Sequence, residues 1–336
     1  MNSDLIINTS NYPFSVGWAI TNKCNIHCIH CNMDSGKALE NELTKEECFK
    51  IIEELSSNNV QKICFFGGEP LVRSDFFEIA NYAIKKGIFV NFTTNGLLIN
   101  ENMIEKELYK FELIRVSLDG PNPETHEFIR NLKGSYDRTV NNIRQMTERG
   151  INVGVVTCIS HKNLNYIDEM VGLLEKLKVK RWFIPILSAA GRGSNIEKEI
   201  LSPEEIKHLL IKLGKIIKTR NVGFSINLDL PYSVLFKCKN NKIKASCPAA
   251  LTELAIFANG DISPCCEIPI MGGNWRNKSI SEIWNNSKVF KDFRNRNLIK
   301  GKCEKCEFLK NCGGCRANAY IKYGDYLQGD DVCWKK

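Results

Sequence analysis

Short apolar runs and longer amphipathic segments alternate along the first two-thirds of the chain. The runs 17–21, 62–66, 89–93, 113–118, 152–159 and 182–187 are rich in β-branched and aromatic residues, and their length and composition predict six strands. Between them, apolar residues recur with a helical period over 45–56, 75–86, 136–149 and 164–177. End signals agree with the periods. Thr44-Lys45-Glu46-Glu47 has the form of a capping box, and Gly87 and Gly150 stand where two of the helices must stop. A further helix, 204–218, is opened by Ser202-Pro203-Glu204-Glu205, with proline in its first turn and carboxylates near its positive end. Strands alternating with helices predict an α/β fold with a parallel sheet.

The pattern changes after about Lys237. From there to the end the chain is short of long helices, rich in Gly, Asn and Cys, and holds nine of the fifteen cysteines. Such a segment offers little continuous apolar face and is expected to fold around metal. The expected organisation is an N-terminal segment, 1–16, an α/β unit, 17–236, and a cysteine-rich unit, 237–336.

Composition narrows the function. Apolar residues make up 43% and charged residues 25% of the 336, ordinary values for a globular protein. No run approaches the roughly 18 apolar residues of a membrane helix, and the first residues lack a basic stretch followed by an apolar one. The expectation is a cytoplasmic protein with no membrane partner. In that reducing compartment fifteen cysteines point to metal rather than disulfides. The net charge of +8 is spread over helical faces without a compact Lys/Arg block, so no nucleic-acid partner is expected.

Directly after the first strand comes Cys24-Asn25-Ile26-His27-Cys28-Ile29-His30-Cys31. Three thiolates hold three irons of a cubane and leave the fourth open to a small molecule. The bland alternative is a zinc site completed by His27 or His30. The position favours a ligand site, because parallel sheets bind ligands at the carboxyl ends of their strands. The second strand ends in Gly67-Gly68-Glu69-Pro70, the third in Thr93-Thr94-Asn95-Gly96, and the fourth in Ser117-Leu118-Asp119-Gly120.

This set resembles the radical S-adenosylmethionine (radical SAM) superfamily. The resemblance implies a partial (β/α)6 TIM-like barrel in which Cys24, Cys28 and Cys31 hold a 4Fe–4S cluster. The open iron chelates S-adenosylmethionine, and electron transfer to the sulfonium gives a 5′-deoxyadenosyl radical that abstracts a substrate hydrogen. One departure is His30, where an aromatic residue commonly precedes the third cysteine; an imidazole can still pack over the cofactor. Gly67, Gly68, Glu69 and Pro70 match the family's GGEP motif. There the glycines let backbone approach the methionine moiety, and the Glu69 side chain or adjacent carbonyls accept its ammonium hydrogens. Thr94, Asn95, Ser117 and Asp119 stand where ribose or methionine groups are bound. Arg130 matches an arginine that pairs with the cosubstrate carboxylate, against the alternative of a solvated helix-end residue. Arg192, in Gly191-Arg192-Gly193, falls where relatives contact adenine, against the alternative of a plain loop.

The tail carries Cys247, Gly260 with Cys265 five positions on, Cys303-x-x-Cys306, Cys312-x-x-Cys315 and Cys333. It is similar to the SPASM extension of these enzymes, which holds two auxiliary 4Fe–4S clusters. Cys312-Gly313-Gly314-Cys315-Arg316-Ala317 is typical of it, though with two residues rather than three between its cysteines. The resemblance implies that Cys303, Cys306, Cys312 and Cys333 hold an outer cluster. Cys247, Cys265 and Cys315 would hold an inner one with Cys238 as its fourth ligand; relatives differ on whether this cluster is fully ligated or keeps an open iron. Cys48, Cys64 and Cys158 remain as small core residues. Cys266 remains either as a hydrogen-atom donor or as a spare buried thiol. Five residues between the paired knuckles are too few for a zinc ribbon, whose knuckles lie roughly 15 to 20 apart.

Relatives with this extension modify ribosomally made peptides by thioether or carbon–carbon links or by epimerisation, oxidise sulfatase active sites, or trim haem precursors. A peptide substrate is the leading implication, with a separate leader-binding protein as a partner and a flavodoxin or ferredoxin as electron donor. A tetrapyrrole or another small molecule is the alternative. From other classes, a non-catalytic iron–sulfur electron carrier and a zinc-binding module remain; a carrier needs no cosubstrate site.

Overall fold

The computed structural model of the chain describes residues 5–7, 9–220, 222–228, 231 and 247–335. Within them the expected alternation forms one sheet. Strands β1 (Ser15–Thr21), β2 (Lys62–Gly67), β3 (Phe89–Thr94), β4 (Leu113–Ser117), β5 (Val153–Val156), β6 (Arg181–Ile184) and β7 (Ser225–Leu228) run parallel in sequence order. Helices α1 (Lys45–Ser57), α2 (Phe76–Lys85), α3 (Glu101–Lys106), α4 (Pro123–Arg130), α5 (Ser135–Glu148), α6 (Ile167–Lys176) and α7 (Pro203–Thr219) fill the crossovers. This is the partial barrel, with one strand more than the six expected. The alternation of Phe224, Ile226 and Leu228 marks β7; these three are buried.

Side-chain parity divides each strand between two environments. Val16, Trp18 and Ile20 of β1, Ile63 and Phe65 of β2, and Val90 and Phe92 of β3 are buried. They pack with the helices, with Phe65, Phe76, Phe92 and Phe111 joined ring to ring. The alternate positions, among them Gly17, Cys64, Asn91, Arg115, Gly154 and Phe183, face the inner wall. The α1 cap forms as its sequence specifies: Thr44 Oγ1 accepts from Glu47 N at 3.2 Å, and Glu47 Oε2 accepts from Thr44 N at 2.9 Å.

The C-terminal part does more than surround metal. Strand β8 (Glu253–Ile256) pairs in parallel with β1, and β9 (Asp261–Ser263) and β10 (Gly273–Asn274) extend the sheet antiparallel, ten strands in all among the described residues. Helices α8 (Ile280–Asn286) and α9 (Lys288–Arg294) bury Ile280, Ile283, Trp284, Phe290 and Phe293 in the same core as the barrel. The tail thus shares the barrel's core although it offers little continuous apolar face. Its apolar residues are divided between two seven-residue helices, each too short to show a period. Helix α10 (Arg316–Tyr323) follows the last paired cysteines. No helix among the described residues is long and apolar enough to cross a membrane.

Candidate active site and cluster sites

Strands β1 to β7 all end on one rim, and the loop carrying Cys24, Cys28 and Cys31 lies across it. Cys28 is buried, and Ile26 and Leu97 pack with the three thiols. Burial raises the Cys24 thiol to about 11, helped by the Glu69 carboxylate and opposed by a backbone hydrogen bond at Ile26. Burial also raises Cys28, against the nearby Arg130. Metal binding at these positions therefore displaces protons.

The Gly67–Gly68 turn is pressed against the start of this loop. Gly67 has φ +126°, and a Cβ there would lie 2.4 Å from the Thr21 carbonyl; at Gly68 it would lie 2.1 Å from the Lys23 carbonyl. Gly68 N and Glu69 N donate to those same carbonyls, at 2.8 and 2.9 Å. The glycines thus serve a backbone-to-backbone approach within the protein. Glu69 is fully buried, and its carboxylate accepts from Thr94 Oγ1 at 2.8 Å, Asn95 N at 2.7 Å and Leu71 N at 3.2 Å. Burial raises its pKa to about 7, while these bonds and Arg130 act the other way. Three internal donors thus hold the Glu69 carboxylate in place. Asn95 reaches the cysteine loop directly, its Nδ2 donating to Asn25 Oδ1 at 2.8 Å.

Asp119 and Arg130, expected to meet the cosubstrate separately, are joined to each other. Asp119 Oδ2 lies 2.6 Å from Arg130 Nε, and Oδ1 accepts from Cys158 N at 2.8 Å. Burial would raise the Asp119 pKa, but Arg130, His30 and His126 hold it below the usual carboxylate value. Arg130 Nη1 lies 3.7 Å from Cys28 Sγ, so the guanidinium spans the carboxylate and a thiol. It is a buried residue, not a solvated helix end. His30 Nε2 sits 3.9 Å from Asp119 Oδ2, and burial pulls its pKa down to about 4. Ser117 is buried at the end of β4.

Arg192 departs most from expectation. Its Nε donates to the Cys28 carbonyl at 2.8 Å, and Nη1 donates to Asp34 Oδ1 at 2.7 Å and to the Ser35 carbonyl at 2.9 Å. Its own amide donates to the Cys31 carbonyl at 2.9 Å. A Cβ at Gly191 would lie 2.5 Å from the carbonyls of Cys31 and Asn32. The loop after β6 therefore clamps the cysteine loop, with Nε and Nη1 of the guanidinium engaged there.

Two groups were not singled out by sequence. Cys158, read as a core residue, lies beyond the end of β5, half-buried, with the Asp119 and Glu267 carboxylates acting on its thiol. Strand parity is the signal, since Cys158 continues the inward series from Gly154 and Val156. Glu267, for which sequence offers no signal, accepts from Asn32 Nδ2 at 2.5 Å and ties the C-terminal part to the cysteine loop. Beside it, the Cys266 thiol is hydrogen-bonded to Cys265.

In the C-terminal part Cys247, Cys265 and Cys315 are brought together: burial raises Cys247 with help from Cys265, and burial raises Cys315 with help from Asp330, Cys247 and Cys265. Cys303, Cys312 and Cys333 form a second group, with Cys306 one turn from Cys303. Cys238 lies outside the described residues. The fourteen described cysteines are free thiols.

The radical SAM superfamily profile matches residues 18–174, and an iron–sulfur cluster-binding domain profile, SPASM, matches residues 247–313. The chain is 30% identical to the AdoMet-dependent heme synthase of Methanosarcina barkeri, with 98% of each chain covered. It belongs to the radical SAM superfamily. This radical SAM enzyme is also 28% identical to the mycofactocin maturase MftC of Mycolicibacterium smegmatis, over 95% of its own length and 82% of the relative's. Streptococcus suis SuiB, in its complex with precursor peptide SuiA, shares the fold, with a TM-score of 0.81, 21% identity, and 99% and 77% of the two chains covered.

A radical SAM enzyme with a SPASM domain carries a SAM-binding 4Fe–4S cluster and auxiliary clusters. The residues present fit such groups. Among the described residues no three His, Cys, Asp or Glu side chains are placed to hold a single metal ion. Arg296 Nε, Arg316 Nε and Arg316 Nη2 are buried without a hydrogen-bond partner in the C-terminal part. Unpartnered cationic donors among thiols call for an anionic body, as a thiolate-ligated cluster is.

Proposed function

We propose that Cys24, Cys28 and Cys31 hold the cluster that cleaves S-adenosylmethionine, and that the enzyme abstracts hydrogen from a carboxylate-bearing substrate, a tetrapyrrole first. Bound together, cluster and cosubstrate supply an electron to the sulfonium and a carbon radical that removes the hydrogen. The chain's own residues hold and enclose. Arg192, Asn95 and Glu267 fix the cysteine loop, the carbonyls of the Gly67–Gly68 turn accept the cosubstrate ammonium, and Ser117 faces its ribose. The Asp119–Arg130 pair keeps a positive group beside Cys28. Barrel walls exclude water, which would otherwise quench a radical.

The observation that carries the substrate class is the charge of the inner wall. Lys62, Arg115 and Arg181 occupy inward positions of β2, β4 and β6. Burial and the charges of Arg115 and Arg181 pull the Lys62 pKa down, and Arg115 lies over the Phe183 ring at 4.2 Å. Both polar side-chain atoms of the buried Asn91, and Arg115 Nε, have no partner. Arg115 stands two residues before Ser117, about 7 Å deeper along the strand. A propionate arm of a tetrapyrrole lying across the rim reaches that depth, and the whole-length similarity to a heme synthase supports the same class. The second reading is a peptide bearing an acidic group, delivered by a leader-binding protein and crosslinked or epimerised; similarity to MftC favours it.

The test is anaerobic incubation of fully loaded, reduced protein with S-adenosylmethionine and either an iron porphyrin bearing free propionates, its methyl ester, or acidic peptides. The free-acid porphyrin should raise 5′-deoxyadenosine formation above the ester and the peptides. Stimulation by peptides alone would replace the tetrapyrrole with the second reading. No 5′-deoxyadenosine under any condition would end both.

A further inference from the structure

Two arginines are buried in the C-terminal part, Arg296 at 5% and Arg316 at 3% exposure. Arg316 is anchored through Nη1, which donates to the Tyr326 and Gln328 carbonyls at 2.9 and 2.8 Å; its Nε and Nη2 have no partner. Arg296 Nε is likewise unpartnered. Both guanidinium groups lie against the diglycine of Cys312-Gly313-Gly314-Cys315. A Cβ on Gly313 would be 2.2 Å from Arg296 Nη1 and 2.5 Å from its Cζ. A Cβ on Gly314 would be 2.8 Å from Arg316 Nη2 and 3.1 Å from Cys303 Sγ. Gly313 and Gly314 have φ of +71° and +68°, so the turn needs glycine for its backbone as well as for the arginines.

The place of that diglycine matters. It joins Cys312, of one thiol group, to Cys315, of the other. Burial and the neighbouring Arg316 guanidinium pull the Arg296 pKa down, and Cys247 from one group with Cys312 and Cys303 from the other act against them. We propose that Arg296 stands between the two auxiliary clusters and raises the reduction potential of both. Reduction adds negative charge to a cluster, and a fixed cation with a free N–H beside the ligating sulfurs favours the reduced state. One side chain thereby keeps both clusters reducible together, as a relay or an acceptor near the substrate requires. Arg296 is a tuning residue and touches no reacting atom.

The inference rests on the proposed auxiliary ligand sets. Its test uses the anaerobically loaded full chain, Arg296→Lys and Arg296→Gln, with iron content measured first and then potentiometric titration followed by electron paramagnetic resonance. Both auxiliary potentials should fall in the order Arg, Lys, Gln, because lysine keeps the charge but loses the planar fork. The potential of the radical SAM cluster should stay fixed. Unchanged auxiliary potentials in iron-complete variants, or movement of only one cluster, would overturn the proposal. If the glutamine variant does not retain auxiliary iron, the Arg-to-Lys difference decides alone. Absence of auxiliary iron from the parent protein would instead overturn the ligand sets.

Discussion

Replacing Arg192 with lysine separates a clamp on the cysteine loop from a contact to adenine. The guanidinium makes two hydrogen bonds to backbone carbonyls, Cys28 and Ser35, and one to Asp34. The Asp34 side chain is largely exposed, so that ion pair contributes at most about 1 kcal/mol. Each bond from a charged donor to a carbonyl is worth about 1.5–3 kcal/mol, and a lysine ammonium can keep only one of the two. Arg192→Lys therefore loses about 1.5–3 kcal/mol specifically from the closed loop. At about 1.4 kcal/mol per tenfold, the open population rises roughly 10- to 100-fold. The assay is the rate at which a chelator removes iron from the loaded enzyme, with the clusters distinguished by their spectra. Iron of the radical SAM cluster should leave faster by that factor while auxiliary iron leaves at the parent rate. Unchanged iron loss together with weakened S-adenosylmethionine binding would refute the clamp and restore an adenine contact.

Other substitutions test neighbouring parts of the same rim. Asp119→Asn leaves Arg130 buried without its carboxylate, which should cost about 3–5 kcal/mol in the apoprotein and less in the loaded enzyme, where cluster charge faces the guanidinium; equal losses in urea melts of the two forms would contradict this. Gly68→Ala drives a methyl group into the Lys23 carbonyl and should destabilise the protein by about 1–3 kcal/mol, with poorer cluster retention; an unaltered melt would show that the turn yields freely. His126 is held neutral, its pKa lowered to about 4 by burial and by Arg130. The unfolded chain takes up that proton first as pH falls below the ordinary histidine value, so the His126 contribution to stability should drop by about 1.4 kcal/mol per pH unit between about 6.5 and 4 and level below. His126→Asn should remove that part of the slope in denaturant titrations, and an unchanged slope would assign it elsewhere.

The sequence made the barrel legible because each strand's parity and each helix's cap are local properties. Val16, Trp18 and Ile20 alternate whatever lies around them, and the Thr44–Glu47 box needs only four residues. The chemistry of the rim was legible in identity but not in partnership. Glu69, Asp119, Arg130 and Arg192 stand out in their motifs, yet which of them face each other depends on strands brought side by side by the fold. Arg192 meets the Cys28 carbonyl across 164 positions, a relation no spacing encodes. The joining of β8 to β1 is hidden for the same reason. Glu267 lies beside a cysteine pair that draws attention to itself, and its contacts with Asn32 and Ser188 give it meaning.

The cysteine loop has no regular structure of its own, so its shape comes from its tethers. The Gly67–Gly68 turn holds Thr21 and Lys23, Asn95 holds Asn25, and Ile29 N donates to the Ile129 carbonyl at 3.1 Å. Arg192 holds Cys28, and Glu267 holds Asn32. The tethers come from the ends of β2 and β3, from helix α4, from the loop after β6 and from the C-terminal part. Ordering an irregular loop costs about 1–2 kcal/mol of backbone entropy per residue, and here the rigid rim offsets that cost before any cluster binds. Three thiols placed in this way need no fourth protein ligand to stay together. A zinc-like site must close on itself, whereas this loop is closed by the barrel, and on the proposed ligation by Cys24, Cys28 and Cys31 the barrel is what lets one metal position stay open for a cosubstrate.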